Sequence, residues 1–196
     1  MQVTAFNGSA RKDGNTAGLI TAVLNVLEAR GIETTHVQLS GKHIRGCIAC
    51  YKCFENRDRH CAVHDDMLNE CIDRMLSADG IIIGSPTYFA NVSTNIKSLI
   101  DRSGLVAKAN QDMFARKAGA AVVAVRRAGA IHVFNSINHF FLISGMIIPG
   151  ASYWNIGQGF DPGDVQKDAE GIQTMTDLGE NMAWLLNKTA TNHAMA

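Results

Sequence analysis

Hydrogen-bonding side chains crowd a short stretch near the amino terminus, just before a segment with helical periodicity. The stretch is FNGSARKDGNT, residues 6–16, and its Ser9, Arg11, Asn15 and Thr16 offer hydroxyl, guanidinium and amide donors. A loop that runs into a helix N-terminus also presents unpaired backbone N–H groups and the positive end of the helix dipole. The arginine fork suits phosphate oxygens. The pattern therefore predicts an anion site, and a phosphate in particular.

The spacing in this stretch differs from that of two common nucleotide motifs. A P-loop has four residues between its glycines and ends in Lys-Ser or Lys-Thr. Here Gly8 and Gly14 are separated by five residues, and Asn15 and Thr16 follow. The stretch does not match the GxGxxG dinucleotide motif either. A single terminal phosphate therefore fits better than a triphosphate, and the alternative is an ordinary helix N-cap with polar loop residues.

A second stretch with chemical potential holds four of the five cysteines within fifteen residues, spaced C-x2-C-x2-C-x7-C. The four are Cys47, Cys50, Cys53 and Cys61. A structural zinc site normally takes two cysteine pairs from separate turns, whereas one compact run can direct three thiolates at an iron–sulfur cluster. The long last gap leaves His60 and His64 as substitutes for Cys61. A cluster, free or redox-active thiols, and zinc all stay open as interpretations of this stretch.

Composition narrows the class of protein. The 196 residues contain 18 Lys plus Arg and 18 Asp plus Glu, so the formal charge is zero, which argues against a nucleic-acid surface. No apolar run reaches the roughly 18 residues of a membrane span. The start, MQVTAFNGSA, lacks the features of a signal peptide. We therefore expect a cytoplasmic protein with no membrane or nucleic-acid partner, whose thiols stay reduced.

The elements that must position these stretches alternate between strand and helix five times. Strands are predicted at 2–6, 34–39, 80–84, 118–125 and 145–150, and helices at 16–30, after Asp65 or Asp66, at 93–105, at 131–144 and at 165–187. This order predicts one α/β domain over 1–196, with a Cys-rich loop insertion at about 40–64 and helices on both faces of a parallel sheet. The doubly wound strand order 2-1-3-4-5 places ligands beyond the carboxyl ends of strands one and three.

The loops at that position carry two motifs that resemble the NADPH-dependent FMN reductase family, which has a flavodoxin-like fold. G-S-x-R-x-x-G-N-T after an N-terminal strand is similar to the family's phosphate loop, and SPTYFANVSTNIKSLIDR (85–102) is similar to its flavin loop. The resemblance runs from residue 2 to about residue 105 and more weakly through RRAGA (126–130). It implies that Ser9, Arg11, Asn15 and Thr16 hold the FMN phosphate and that residues 86–91 lie along the isoalloxazine.

A flavin ring needs a flat apolar contact and donors for the atoms that gain charge on reduction. Tyr88 and Phe89 offer aromatic surface and Asn91 offers an amide. Alternatively, the two aromatic residues merely cover the end of the sheet. Arg127 could meet flavin oxygens or NADPH phosphate, and Gly129 would permit a close approach. The cofactor contacts predicted from the two later loops are Pro86, Thr87, Tyr88, Phe89, Asn91, Arg127, Ala128 and Gly129.

The cysteine run is also similar to the compact motif of the iron–sulfur flavoproteins, a branch of the same FMN-binding group that carries a [4Fe–4S] cluster. This resemblance implies that Cys47, Cys50, Cys53 and Cys61 are cluster ligands. The run follows strand two, so a cluster would lie near the flavin end of the sheet or near that of a neighbouring subunit.

The predicted function is that of an FMN-dependent oxidoreductase, with NAD(P)H or a ferredoxin-type protein as electron donor and a separate electron acceptor. The protein would hold the phosphate, orient the ring and tune its potential, so no catalytic acid or base is predicted. The resemblance implies a homodimer or homotetramer. The alternatives are an electron carrier that takes no hydride, and an FMN-free interaction module with a zinc-stabilised knob at 47–61.

Overall fold

The computed structural model describes residues 1–193, in which five parallel strands form one sheet in the order β2-β1-β3-β4-β5. The strands are β1 (Gln2–Asn7), β2 (Glu33–Gln38), β3 (Gly80–Pro86), β4 (Ala118–Val125) and β5 (Ile156–Gln158). The helices are α1 (Asn15–Ala29), α2 (Lys52–Asn56), α3 (Leu68–Ser77), α4 (Thr94–Ala109), α5 (Ala130–Ile143) and α6 (Ala169–His193). The predicted α/β class and strand order are confirmed. The predicted domain, 1–196, extends three residues beyond the described part.

The core has one apolar layer on each face of the sheet. Ile81 and Ile83 pack on one side with buried residues of α3, α4 and α5, and Ile82 packs on the other with α1 and α6. This division follows from the alternation of side chains along a strand. Each fully buried isoleucine contributes roughly 1.5–3 kcal/mol. The continuous apolar run of β3 therefore fixes that strand at the centre, with helices covering both faces.

The fifth strand lies later in the chain than predicted. Residues 145–150 run beside the amino end of β4, where Ile147 forms an isolated bridge with Ala118. Pro149 has no N–H group and cannot extend that pairing. β5 instead pairs with residues 123–125 at the carboxyl end of β4. The prediction of 145–150 was wrong, because an apolar run does not reveal at which end of a neighbouring strand it will pair.

The last helix begins later than its predicted start at residue 165. A 3-10 turn spans Asp164–Lys167, and Asp168 then accepts the N–H of Gly171 at 3.0 Å, as a residue that caps a helix N-terminus does. Although α6 has 25 residues, neither it nor any other helix within 1–193 is both long and apolar enough to cross a membrane.

A glycine brings the first loop against the start of α4. The Gly8 N–H donates to the Gly84 carbonyl at 2.9 Å. A Cβ at Gly8 would lie 2.2 Å from Cγ1 of Ile96 and 2.6 Å from Oγ of Ser93, so no larger residue fits there. Ser93 precedes α4 as predicted, but its side chain makes no cap hydrogen bond. The loops that follow β1 and β3 are therefore packed together before they contact any ligand.

Candidate functional site

A cavity of about 240 Å³ opens at the carboxyl ends of β1, β3 and β4. It lies where the strand order reverses between β1 and β3, the place at which doubly wound sheets bind ligands. Seven of the predicted cofactor contacts line it together. The lining residues are Ser9, Arg11, Asn15, Thr16, Pro86, Thr87, Tyr88, Ala124, Val125, Arg126, Gly159 and Phe160.

The loop after β1 is held in shape by its own hydrogen bonds. The Ser9 N–H donates to Oδ1 of Asn7 at 2.9 Å, and the Ser9 hydroxyl oxygen accepts the Arg11 N–H at 3.1 Å. From the neighbouring strand β2, the Gln38 amide donates to the Ser9 carbonyl at 2.8 Å. Asn7 in turn donates to the Gln38 side-chain oxygen at 2.8 Å. The loop conformation therefore does not depend on a ligand.

Several hydrogen-bond donors at this end of the cavity have no acceptor among the described residues, 1–193. Gly14 precedes α1, and no side chain caps the helix, so the first N–H groups of α1 lack acceptors within it. Thr16 is buried at the cavity wall, and its hydroxyl makes no hydrogen bond within residues 1–193. The Arg11 guanidinium does have a protein acceptor, the Phe160 carbonyl at 3.2 Å, but it adds a positive charge at the same end. Together with the helix dipole, these groups favour an anion.

Unlike its neighbours, Asn15 already uses its side-chain oxygen for hydrogen bonds within the protein. That oxygen accepts the backbone N–H groups of Gly163 at 3.1 Å and Val165 at 3.2 Å. These bonds join the start of α1 to the segment that follows β5. Asn15 therefore positions one wall of the cavity, and only its amide N–H groups remain for a ligand.

The loop after β3 is tied to β4 and closes in a tight turn. The Thr87 N–H and hydroxyl both donate to the Ala124 carbonyl, at 2.9 and 3.1 Å. Tyr88 and Asn91 exchange backbone hydrogen bonds of 3.1 and 3.0 Å around a turn with positive φ angles at Phe89 and Ala90. The turn fixes Tyr88 at the cavity wall and places Phe89 at its outer tip.

Five of the predicted contacts lie outside this cavity. Phe89 is fully exposed, and Asn91 lines a groove between α4 and α5. Arg127, Ala128 and Gly129 line a separate cavity of about 300 Å³ beside the start of α5. Gly129, with φ of +88°, still brings this loop close to the β3 loop, because a Cβ there would lie 3.0 Å from that of Ala90.

Five lining residues were not predicted from the sequence, and Arg126 and Phe160 are the two with a charged or aromatic side chain. Arg126, one position before the predicted Arg127, borders the cavity and lies over the Phe160 ring, 4.6 Å from its centroid. Phe160 follows β5, so placing the fifth strand at 145–150 hid it. The useful signal for Arg126 was its place directly after the last residue of β4. Two arginines, Arg11 and Arg126, thus contact one aromatic residue at the mouth.

The four clustered cysteines line a second, apolar pocket between α4 and the segment 40–67, called the cysteine loop below. All five cysteines of the chain are unpaired thiols. Burial raises the pKa of the Cys53 thiol, and the nearby sulfurs of Cys61 and Cys50 raise it further. Within residues 1–193, no three His, Cys, Asp or Glu side chains converge closely enough to hold one metal ion. The sulfurs therefore share a pocket without meeting at a point.

The histidines that could replace Cys61 are bonded elsewhere. His60 Nε2 lies 2.8 Å from the Asp73 carboxylate, and His64 Nδ1 lies 3.1 Å from the Asn69 amide. Asn69 also accepts the N–H of Cys61 at 2.9 Å and donates to its carbonyl at 3.0 Å. This clamp holds Cys61 at the pocket. Cys71, by contrast, is fully buried in the core, where burial raises the pKa of its thiol to about 12.

Comparison with known proteins finds relatives along nearly the whole chain. A family model described as NADPH-dependent FMN reductase matches residues 1–161. An iron–sulfur flavoprotein of Methanocaldococcus jannaschii is 38% identical over 190 residues, which cover 93% of this chain and 96% of that protein.

Solved structures share the fold at lower identity. RosB with a bound 8-demethyl-8-formylriboflavin-5'-phosphate intermediate has a TM-score of 0.76 and 19% identity, covering 97% of this chain and 81% of that one. A flavodoxin from the domain Archaea has a TM-score of 0.60 and 18% identity, covering 95% and 99%. The predicted flavodoxin-like fold is confirmed.

Replacing Asn15 tests whether its side chain stabilises the cavity wall. We expect Asn15→Ala to lower the free energy of unfolding by about 1–3 kcal/mol, because two N–H groups lose their acceptor. The adjacent Thr16→Val is the control, since its hydroxyl has no protein partner, and it should change stability by no more than about 0.5 kcal/mol. Urea denaturation of flavin-free protein measures both. Equal stability of the two variants would contradict the assignment.

Proposed function

The chain belongs to the NADPH-dependent FMN reductase family, and on that premise we propose that it is an FMN-dependent oxidoreductase that uses NAD(P)H. The observation that carries the proposal is the cavity at the β1/β3 reversal. At one end it has hydrogen-bond donors that suit an anion, and beside them it has a wall of apolar and aromatic side chains. Bound FMN would supply hydride acceptance and the transfer of electrons to a further acceptor.

The phosphate end of FMN is assigned to the loop after β1 and the start of α1. There the first N–H groups of α1 and the Thr16 hydroxyl have no acceptor in the part of the chain that the structure describes. The Ser9 hydroxyl proton is available to donate, since its oxygen accepts the Arg11 N–H. Arg11 adds a positive charge that a dianionic phosphate attracts. Because the loop is already held by Asn7 and Gln38, little ordering is needed on binding.

The ring end is assigned to Pro86, Thr87 and Tyr88 on one side and to Phe160 on the other. The N–H groups of Thr87, Tyr88 and Asn91 are already bonded within the protein, so they do not serve the ring. Arg126 is the cation at the cavity that a ring gaining negative charge would favour. The residues thus orient the ring and stabilise its reduced form, and no acid or base is required of them.

The second pocket is assigned to a [4Fe–4S] cluster. The donor set of Cys47, Cys50, Cys53 and Cys61 fits such a group, because the cluster offers a separate iron to each thiolate and the ligands need not converge. Zinc would need every ligand within about 2.3 Å of one ion, which the described residues do not offer. When bound, the cluster would supply one-electron transfer. The relative named an iron–sulfur flavoprotein supports this assignment.

The phosphate assignment is tested by comparing two ligands. We expect Arg11→Ala to weaken FMN binding about tenfold or more, because a charged hydrogen bond to phosphate is lost, and to leave riboflavin binding unchanged. Arg127→Ala is the matched control, since Arg127 lines the neighbouring cavity, and it should bind FMN as the parent does. Flavin fluorescence titration measures each affinity. An equal loss for FMN and riboflavin would refute a phosphate contact.

Anaerobic mixing with nicotinamide nucleotides tests the activity. We expect NADPH or NADH to abolish the absorbance of the oxidised flavin on mixing, because a reductase accepts hydride directly from the nicotinamide. Reduction by dithionite alone would instead identify an electron carrier. A protein that takes up no flavin at all would favour the interaction module and overturn the proposal.

The cluster assignment is tested with two cysteine variants of anaerobically purified protein. We expect Cys50→Ser to lose the iron and sulfide and to keep FMN, since Cys50 lines only the second pocket. Cys71→Ala removes a thiol of the core and should keep both groups. Iron and sulfide analysis with flavin content measures the outcome. Unchanged iron in Cys50→Ser would refute the assignment.

A further inference from the structure

We propose that Arg102 is a positioning residue for the cysteine pocket. Its side chain holds the cysteine loop against α4 and raises the reduction potential of the cluster bound there. The inference rests on the proposed cluster. It arises from an arginine inside α4 that the structure buries almost completely. Its side chain is 1% exposed, and that of its partner Asp66 is 0% exposed.

One guanidinium gathers four acceptors from the cysteine loop. Nη1 donates to the Arg45 carbonyl at 3.1 Å and to the Asp66 carboxylate. Nη2 donates to Sγ of Cys61 at 3.3 Å and to the Val63 carbonyl at 3.1 Å. A lysine, with three donors on a single nitrogen, does not reproduce this planar fork. The arrangement therefore requires arginine and ties the loop at several points.

Asp66 joins the two ends of the same loop. Its carboxylate also accepts the backbone N–H of Arg45 at 3.1 Å, across 21 residues of chain, and that of Leu68 at 3.1 Å. A buried ion pair gains little net stability, because desolvating two charges offsets their attraction. The bonds of this buried pair to several points of the loop therefore indicate a structural role. They would hold the cysteines in place before a cluster is present.

The contact with Cys61 adds an electrostatic effect. A reduced cluster carries one more negative charge than an oxidised one, so a charged N–H donor to a ligand sulfur stabilises the reduced state more. The pocket around the sulfur is lined by apolar side chains of α4, Leu105 and Val106, which strengthens the interaction. Arg102 should therefore raise the reduction potential, an effect that mere support of the loop would not produce.

A nearby ion pair provides a matched control. Arg45 and Asp65 are paired at 2.5 Å, but both side chains are about half exposed, and such pairs contribute little. Asp65→Asn removes this pair one position from Asp66 and leaves the contacts of Arg102 in place. The control variant should keep the iron content, the flavin content and the cluster potential of the parent.

The test uses anaerobically purified holoprotein and a redox titration of the cluster followed by electron paramagnetic resonance. We expect Arg102→Met to lower the ratio of reduced to oxidised cluster at a fixed potential about tenfold, which corresponds to ~59 mV for one electron. Arg102→Lys should show a smaller decrease. FMN content should be unchanged, since Arg102 does not line the flavin cavity.

A double variant guards against simple misfolding. Arg102→Met with Asp66→Asn removes the unpaired buried charge and keeps a side-chain oxygen for a backbone N–H, so it should recover part of the lost stability while the potential stays low. Loss of iron with FMN retained in Arg102→Met, together with iron kept in Arg102→Lys, would support the loop-holding role. A parent-like potential and iron content in Arg102→Met would overturn the inference and leave the cluster standing, and loss of FMN together with iron would also count against it. Absence of iron from the parent protein would refute the cluster itself.

Discussion

The ligand end of the molecule depends on the uncapped N-terminus of α1. A helix start normally takes an acceptor from a side chain, but here Gly14 supplies none, and Asn15 and Thr16 of the first turn line the cavity. The surrounding hydrogen bonds of Asn7, Gln38 and Asn15 keep this region rigid without filling it. The N–H groups of this first turn, which no side chain caps, are the reason we propose an anion at this end of the cavity, and the rest of the proposed site extends from that point.

Helix α4 links the two pockets physically. Its first turn packs on Gly8 beside the proposed flavin cavity, and Arg102 lies eight residues after Thr94, about 12 Å further along the helix axis. Helix α4 therefore supports the loop after β1 at its start and lines the cysteine pocket further along. The cysteine loop keeps its relation to α4 through the buried contacts of Arg102 with Asp66 and Cys61.

The sequence predicted those features that local pattern controls. The apolar runs of β3 and β4, the alternation of elements and the polar loop after β1 sufficed for the strand order and for the end of the sheet at which the cavity opens. Other features depend on pairing at a distance, which local pattern does not encode. The true position of β5 is one of these. The choice between Arg126 and Arg127 at the cavity is another, because the direction of a side chain after a strand depends on its tertiary neighbours.

The three-residue length of β5 has a consequence for how copies of this protein can meet. β5 is the outer strand on its side of the sheet, and a sheet edge is where another chain can add a strand and begin aggregation. An edge of residues 156–158 presents too few open backbone groups to guide such an addition. Continuation of the sheet from one molecule into the next is thereby discouraged on that side, and contact there must rely on side chains.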